Sequence, residues 1–157
     1  MRITHAILCA SLVLGTIVPF AANAETDACT LLTPAQVAKT IGVPVAAGKH
    51  VTPTFMKTCT WTPSGASPVA SVTLYLQPAS AYDGGKQMAA AMAAHGASMT
   101  PASVGDDAYY FVAGEQVGLL VKKGAASFKV SVYATIPLAR KEAMELELAR
   151  QVLGKLG

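Results

Sequence analysis

The chain is 157 residues long, 52% hydrophobic and only 13% charged, with a net charge of +3 at pH 7. That balance lies too near neutral for a partner such as DNA, RNA or an anionic lipid surface, and it is too apolar for a disordered chain. The length suits one domain around one hydrophobic core.

Residues 1–24 have the form of a cleavable export signal. Arg2 supplies the positive n-region, Ala6 to Phe20 (AILCASLVLGTIVPF) the apolar h-region, and Ala22-Asn23-Ala24 the small-x-small cleavage site. The apolar run is shorter than the roughly 20 residues of a spanning helix and carries Pro19. Cys9 follows Leu8 near the start of that run, which is no place for a lipidated cysteine. The expected product is Glu25 to Gly157, periplasmic or secreted, with no stable membrane anchor. Losing Arg2 leaves eleven Lys and Arg against nine Asp and Glu, a net +2. The adjacent pairs Lys122-Lys123 and Arg140-Lys141 fall where a turn and a helix start would expose them.

Cys9 leaves with the signal, so Cys29 and Cys59 have one possible intramolecular pairing in an oxidising compartment. There is no C-x-x-C for redox chemistry, and two cysteines with His50 and His95 lack zinc-site spacing. A structural disulfide is expected.

The first mature helix is Ala35 to Ile41. Thr33 stands at N-cap, Pro34 at N1 and Gln36 at N3, which is a capping box, and Gly42 supplies the stop. Pro53 and Pro63 bracket a strand at Thr58 to Thr62, in which Cys59 and Trp61 face the same way. Residues 69–76 (VASVTLYL) alternate as a strand with Ala70, Val72, Leu74 and Leu76 on one face. Ser80 to His95 is a second helix, with Ser80 as cap, Asp83 at N3, Gly96 as stop, and Met88 and Met92 as core filler. Ala97 to Gly105 reads as a loop. Three strands follow, Ala108 to Ala113, Gln116 to Lys122 and Ser127 to Ala134, with turns at Gly114 and Gly124. Pro137 opens a last helix running to about Leu153, with Met144, Leu148 and Val152 inward and Arg140, Glu142 and Glu145 on the wet side.

The order α-β-β-α-β-β-β-α, built on hairpins, predicts an α+β fold: a mostly antiparallel sheet with helices packed on it. No repeat or second domain is visible, so 25–157 is expected to be a single domain.

Several strings in this frame carry a resemblance: Ala28-Cys29-Thr30-Leu31-Leu32-Thr33 before a capped helix, Cys59-Thr60-Trp61, Gly105-Asp106-Asp107-Ala108-Tyr109-Tyr110, and a Lys-Gly hairpin with Phe-x-Val. Together they resemble a group of small exported bacterial proteins, lipoproteins and extracellular sensor-like domains. The resemblance implies a PsbP-like α/β sandwich with one disulfide, and it implies no catalytic residues. The lipoprotein members carry a lipobox that this chain lacks.

Candidate chemistry is sparse. His50 falls in an expected exposed loop between Pro44 and Pro53, and His95 at a helix C-terminus, where an imidazolium suits the dipole. Ser64 in Pro63-Ser64-Gly65 is turn chemistry, and G-x-S-x-G is absent. Asp106 and Asp107 are a candidate Ca²⁺ contribution, but Asp83 and Glu115 are too remote in sequence to complete a loop site. An Asx-turn or cap before the Tyr109 strand explains the pair more simply. Tyr75, Tyr110 and Tyr133 form a candidate ligand or partner patch if they share one surface. The expected function is a non-enzymatic binding module without a cofactor, monomeric, taking a protein, a peptide or a small apolar ligand. The alternative is an interaction protein of the inhibitor or immunity type, presenting the Lys49–Thr58 and Ala97–Asp107 loops.

Overall fold

A computed structural model describes residues 26–156; the expected signal segment at residues 1–24, with Cys9 in it, lies outside the described residues. The elements in chain order are a 3₁₀ turn (Ala28–Thr30), α1 (Pro34–Ile41), β1 (Lys49–His50), β2 (Thr58–Trp61), β3 (Val69–Pro78), α2 (Ala79–Met92), a 3₁₀ turn (Ala93–His95), β4 (Ala97–Pro101), β5 (Asp107–Ala113), β6 (Gln116–Lys123), β7 (Ala126–Ala134) and α3 (Leu138–Leu156). The strands form one sheet in the order β1-β2-β3-β7-β6-β5-β4, antiparallel at every pairing. This is the expected α+β architecture.

α1 starts with the capping box. Thr33 Oγ1 accepts the Gln36 amide at 3.2 Å, and Gln36 Oε1 accepts the Thr33 amide at 2.9 Å. It ends at Gly42, whose φ of 80° is left-handed and free of cost only for glycine. The β6–β7 hairpin turns through Gly124 at φ 56°, held there by Asp106 Oδ2, which accepts the Gly124 amide at 2.7 Å.

α1 and α3 cover one face of the sheet, the inner face, and its residues fill the space between. Trp61, Val72, Leu74, Leu119, Val121, Phe128, Val130, Val132, Leu148 and Val152 are all fully buried there. Trp61 lies beside the Cys29–Cys59 disulfide, whose Cα atoms are 5.0 Å apart. A Cβ added at Gly48 would stand 2.5 Å from Cys59 Sγ and 2.8 Å from the indole. The chain between α1 and β1 therefore presses its backbone directly onto this cluster. A bond of this kind persists in oxidising compartments.

α2 packs on the opposite, outer face, where Tyr82 and Ala89 cover Tyr109, Met99, Phe111 and Leu120. Its buried contacts lie over β4, β5 and β6, and it also approaches β7 and β3.

Several expectations need correction. Two strands were missed, β1 and β4, and they are the two edges of the sheet. Edge strands are characteristically short and polar, and β4 (ASMTP) occupies what read as a loop. At the start of β3 the register shifts between Val69 and Ser71, so Val69 is buried and Ala70 exposed. The extra residue of a bulge reverses the alternation there. α2 begins earlier than Ser80. Pro78 stands at N-cap without a side-chain bond, and the Ala79 amide donates to Ala125 O at 3.0 Å across to the hairpin. Asp83 is free of any capping role and pairs with Lys122 at 2.8 Å. Met88 is 67% exposed, and Met92 is exposed too. The covered stripe of α2 runs through Tyr82 and Ala89, and both methionines are rotated off it.

The largest correction lies in α3. Lys141 and Glu145 are buried, on the same stripe as Leu148 and Val152. Lys141 Nζ donates to Glu115 O at 2.7 Å, and Glu145 Oε1 accepts the Val132 amide at 2.8 Å. Each long polar side chain reaches a backbone group at the end of the sheet, which is what makes its burial tolerable.

Candidate functional site

The outer face of β2, β3 and β7, away from the buried contacts of α2, is a candidate surface. On β2, β3 and β7 the positions on this face are Thr58, Thr60, Ser71, Thr73, Tyr75, Lys129, Ser131 and Tyr133, aligned by the registers Thr58↔Tyr75, Tyr75↔Lys129 and Ser71↔Tyr133, and of these Thr58 and Ser131 are buried. Tyr75 is 37% exposed and Tyr133 40%. Phe55, in the loop before β2, stacks on Tyr75 with ring centroids 6.3 Å apart and is itself 41% exposed. Thr60 Oγ1 and Thr73 Oγ1 lie 3.3 Å apart between the strands. Lys129 and Lys49 bring positive charge, and no carboxylate occupies an outward position of these strands.

Tyr110 does not join this surface. It pairs with Leu119 on the inner face, and its hydroxyl donates to Glu142 O at the α3 end of the core, 3.0 Å away. Burial, with Glu142 and Glu145 nearby, pushes its phenol pKa up. Of the three tyrosines, Tyr75 and Tyr133 share the outer face, four positions apart along the β3–β7 ladder, and Phe55 stacks on Tyr75 alone.

Asp106 and Asp107 diverge. Asp106 Oδ1 meets Lys123 Nζ at 3.0 Å while its other oxygen holds the Gly124 amide, and both contacts lower its pKa. Asp107 pairs with Lys86 of α2, whose hydrogen bond is the leading cause of its lowered pKa. These carboxylates lock the hairpin turn and the seat of α2, with both Asp106 oxygens and Asp107 Oδ2 engaged by lysines and an amide. Beneath them burial, then the Asp107 charge, pushes the Tyr82 phenol up beyond its ordinary range.

Sequence reasoning missed the corner around the disulfide. His50 is in β1, opposite Cys59, and its Nε2 lies 2.7 Å from Asp27 Oδ1, which also accepts the Cys29 amide at 2.8 Å. The His50 hydrogen bond is the main reason the Asp27 pKa is lowered. The spacing of Asp27, His50 and Cys59 carries no motif, and only pairing β1 with β2 brings them together. His95 stays exposed at the end of its 3₁₀ turn, and Ser64 is exposed in its loop.

The clefts of the surface are open grooves at the rim. One of about 450 Å³ lies between the β5–β6 turn and the start of α3, at Glu115, Thr135, Ile136 and Lys141. Another, of about 280 Å³, lies at Leu76, Pro78, Ala126 and Leu156. No helix among the described residues is long and apolar enough to cross a membrane. The chain matches no protein-family model, no curated protein and no solved structure.

Proposed function

We propose that the protein is an exported, non-enzymatic binding module whose bare outer sheet face takes a protein or peptide partner. One observation carries the reading: Tyr75, with Phe55 stacked on it, and Tyr133 are exposed on the same outer face of β3 and β7, away from the buried contacts of α2. Exposed aromatic groups set among hydroxyls are what protein interfaces favour. Lys49 and Lys129, with no outward carboxylate between them, suit a partner segment that brings its own acids beside apolar anchors.

A filled inner core supports a flat-surface binder over a carrier of small apolar ligands, which needs an enclosed pocket. That brings the inhibitor- or immunity-type reading forward. Export rests on the signal at residues 1–24, and the oxidised Cys29–Cys59 pair is consistent with it. The polar groups Asp27 with His50 and Asp107 with Lys86 are each satisfied by one another rather than aimed at a shared reacting atom.

The test is site-specific photo-crosslinking in cells that export the protein. A photoreactive residue at Tyr75 or at Tyr133 should yield one shared protein adduct, and the same residue at Met88, on the outside of α2, should not. Adducts confined to Met88, or none at either tyrosine, would remove the reading.

A further inference from the structure

The N-terminal corner gathers four metal-ligand side chains from three separate places in the chain, the turn with Asp27 and Cys29, β1 with His50, and β2 with Cys59. One donor atom each of Asp27, Cys29 and His50 lies within 4.8 Å of the other two. Cys59 Sγ is bonded to Cys29 Sγ, and Cys59 faces His50 across the β1–β2 ladder. In the disulfide neither sulfur is available, because the thiolate is the ligand. We propose that reducing Cys29–Cys59 turns this corner into a tetrahedral zinc-class site with two thiolates, the His50 imidazole and the Asp27 carboxylate as donors.

The donor set suits the assignment. Two sulfurs, one nitrogen and one oxygen match a borderline-soft divalent ion that takes four ligands. With metal bonds of about 2 Å to nitrogen and oxygen, the Asp27 and His50 donors must stand roughly 3.3 Å apart. They are now at 2.7 Å, so a shift of a few tenths of an ångström admits the ion. With bonds of about 2.3 Å the sulfurs must part to roughly 3.8 Å. Side-chain rotation can supply that between Cα atoms 5.0 Å apart.

The surroundings are already placed. Asp27 is held by the Cys29 amide, and the Gly48 backbone and Trp61 wall the site on the Cys59 side. His50 and Asp27 keep 21% and 22% of their side-chain surface in solvent, which leaves a way in.

The chemistry balances with a dithiol or phosphine as reductant. The S–S bond takes two electrons and two protons, and the dithiol becomes its own disulfide or the phosphine its oxide. A divalent ion then displaces the two thiol protons. The proton that His50 Nε2 now directs at Asp27 leaves to solvent, the ring keeps one proton on Nδ1 so that Nε2 ligates, and Asp27 binds as a carboxylate. The ion ties the N-terminal turn to β2, the link the disulfide otherwise makes.

The test uses the full chain carrying Cys9→Ser, which removes the one thiol outside the described residues. Reduced by a phosphine without oxygen and titrated with Co²⁺, it should bind one ion. Thiolate-to-cobalt charge transfer in the near ultraviolet and tetrahedral d–d bands in the visible should appear, and Zn²⁺ should abolish both. His50→Ala and Asp27→Ala can be checked for the native fold with the disulfide intact. After reduction each should bind at least about tenfold more weakly, the loss that even an outer-shell partner causes. Octahedral cobalt without charge transfer would overturn the proposal. So would undiminished affinity in both variants, which would mean chelation by two thiolates alone, or equal binding by the oxidised chain.

Discussion

Glu145 Oε1 accepts the Val132 amide at 2.8 Å, just past Leu119↔Val130, the last pair of the β6–β7 ladder. A side chain from α3 thus satisfies a backbone donor that the neighbouring strand leaves behind. Its other oxygen finds no partner among the described residues. Burial pushes the Glu145 carboxyl up from 4.5 to about 8; the Val132 amide and the nearby Lys129 and Lys141 oppose the shift, and Glu142 adds to it. The folded chain therefore holds a proton that the unfolded chain releases near 4.5. The stabilisation from this group is complete below that pH and is lost as pH rises towards 8. Comparing the chain with Glu145→Gln by urea unfolding across pH 4 to 9 should isolate it. The stability difference should change by up to about 1.4 kcal/mol per pH unit inside the window and be flat outside it. A difference that ignores pH throughout would show that the carboxyl titrates normally.

Gly48 should tolerate no side chain. A methyl group there would lie 2.5 Å from Cys59 Sγ and 2.8 Å from Trp61, both fully buried and unable to swing aside. Gly48→Ala should cost about 1–3 kcal/mol in thermal or denaturant unfolding, the usual range for overpacking. Gly65→Ala, with open space around its Cβ position, is the control and should change little. Equal midpoints for the two variants would mean that the Gly48 segment lifts away from the disulfide.

How far these features were legible depends on where the controlling interaction lies. α1, its cap and stop, the central strands and the disulfide each announce themselves within a few residues, through the Thr33–Gln36 box, Gly42, strict alternation and a lone cysteine pair. β1 and β4 depend on a neighbour strand for their existence, and neither carries a β-branched or aromatic run of its own. The burial of Lys141 and Glu145 was legible as period, since both lie on the Leu148–Val152 stripe, but was concealed by residue type. Only the positions of Glu115 O and the Val132 amide explain it. Asp27 and His50 meet through tertiary pairing, and Tyr110 parted from Tyr75 and Tyr133 because strand parity, which the turn at Gly114 fixes, sent it inward.

Removing the disulfide should weaken the fold measurably without changing its core. Cys29→Ala with Cys59→Ala opens a cross-link between residues 30 apart, for which the chain-entropy model gives about 3.7 kcal/mol as an upper figure. The expected loss in equilibrium urea unfolding is about 2–4 kcal/mol. A loss below about 1 kcal/mol would mean that the 3₁₀ turn is held to β2 by other contacts, such as the Ala28 amide on Met56 O at 2.9 Å.

The three tyrosines provide a test of whether the outer face is free. Tyr110 packs against the inner core and donates to Glu142 O, so Tyr110→Ser loses buried ring area and one hydrogen bond from β5 to α3. It should cost about 2 kcal/mol or more. Tyr75 and Tyr133 lie on the outer face, partly exposed, and Tyr75 stacks on the exposed Phe55. Tyr75→Ser and Tyr133→Ser should each stay within about 1 kcal/mol of the parent in urea unfolding. If either destabilised the chain as much as Tyr110→Ser, its ring would be serving the fold. The outer face would then have no aromatic pair to spare for a partner. If both are tolerated, rings that contribute little to stability remain on a lysine-bearing, carboxylate-free surface, and that surface is where crosslinks should form.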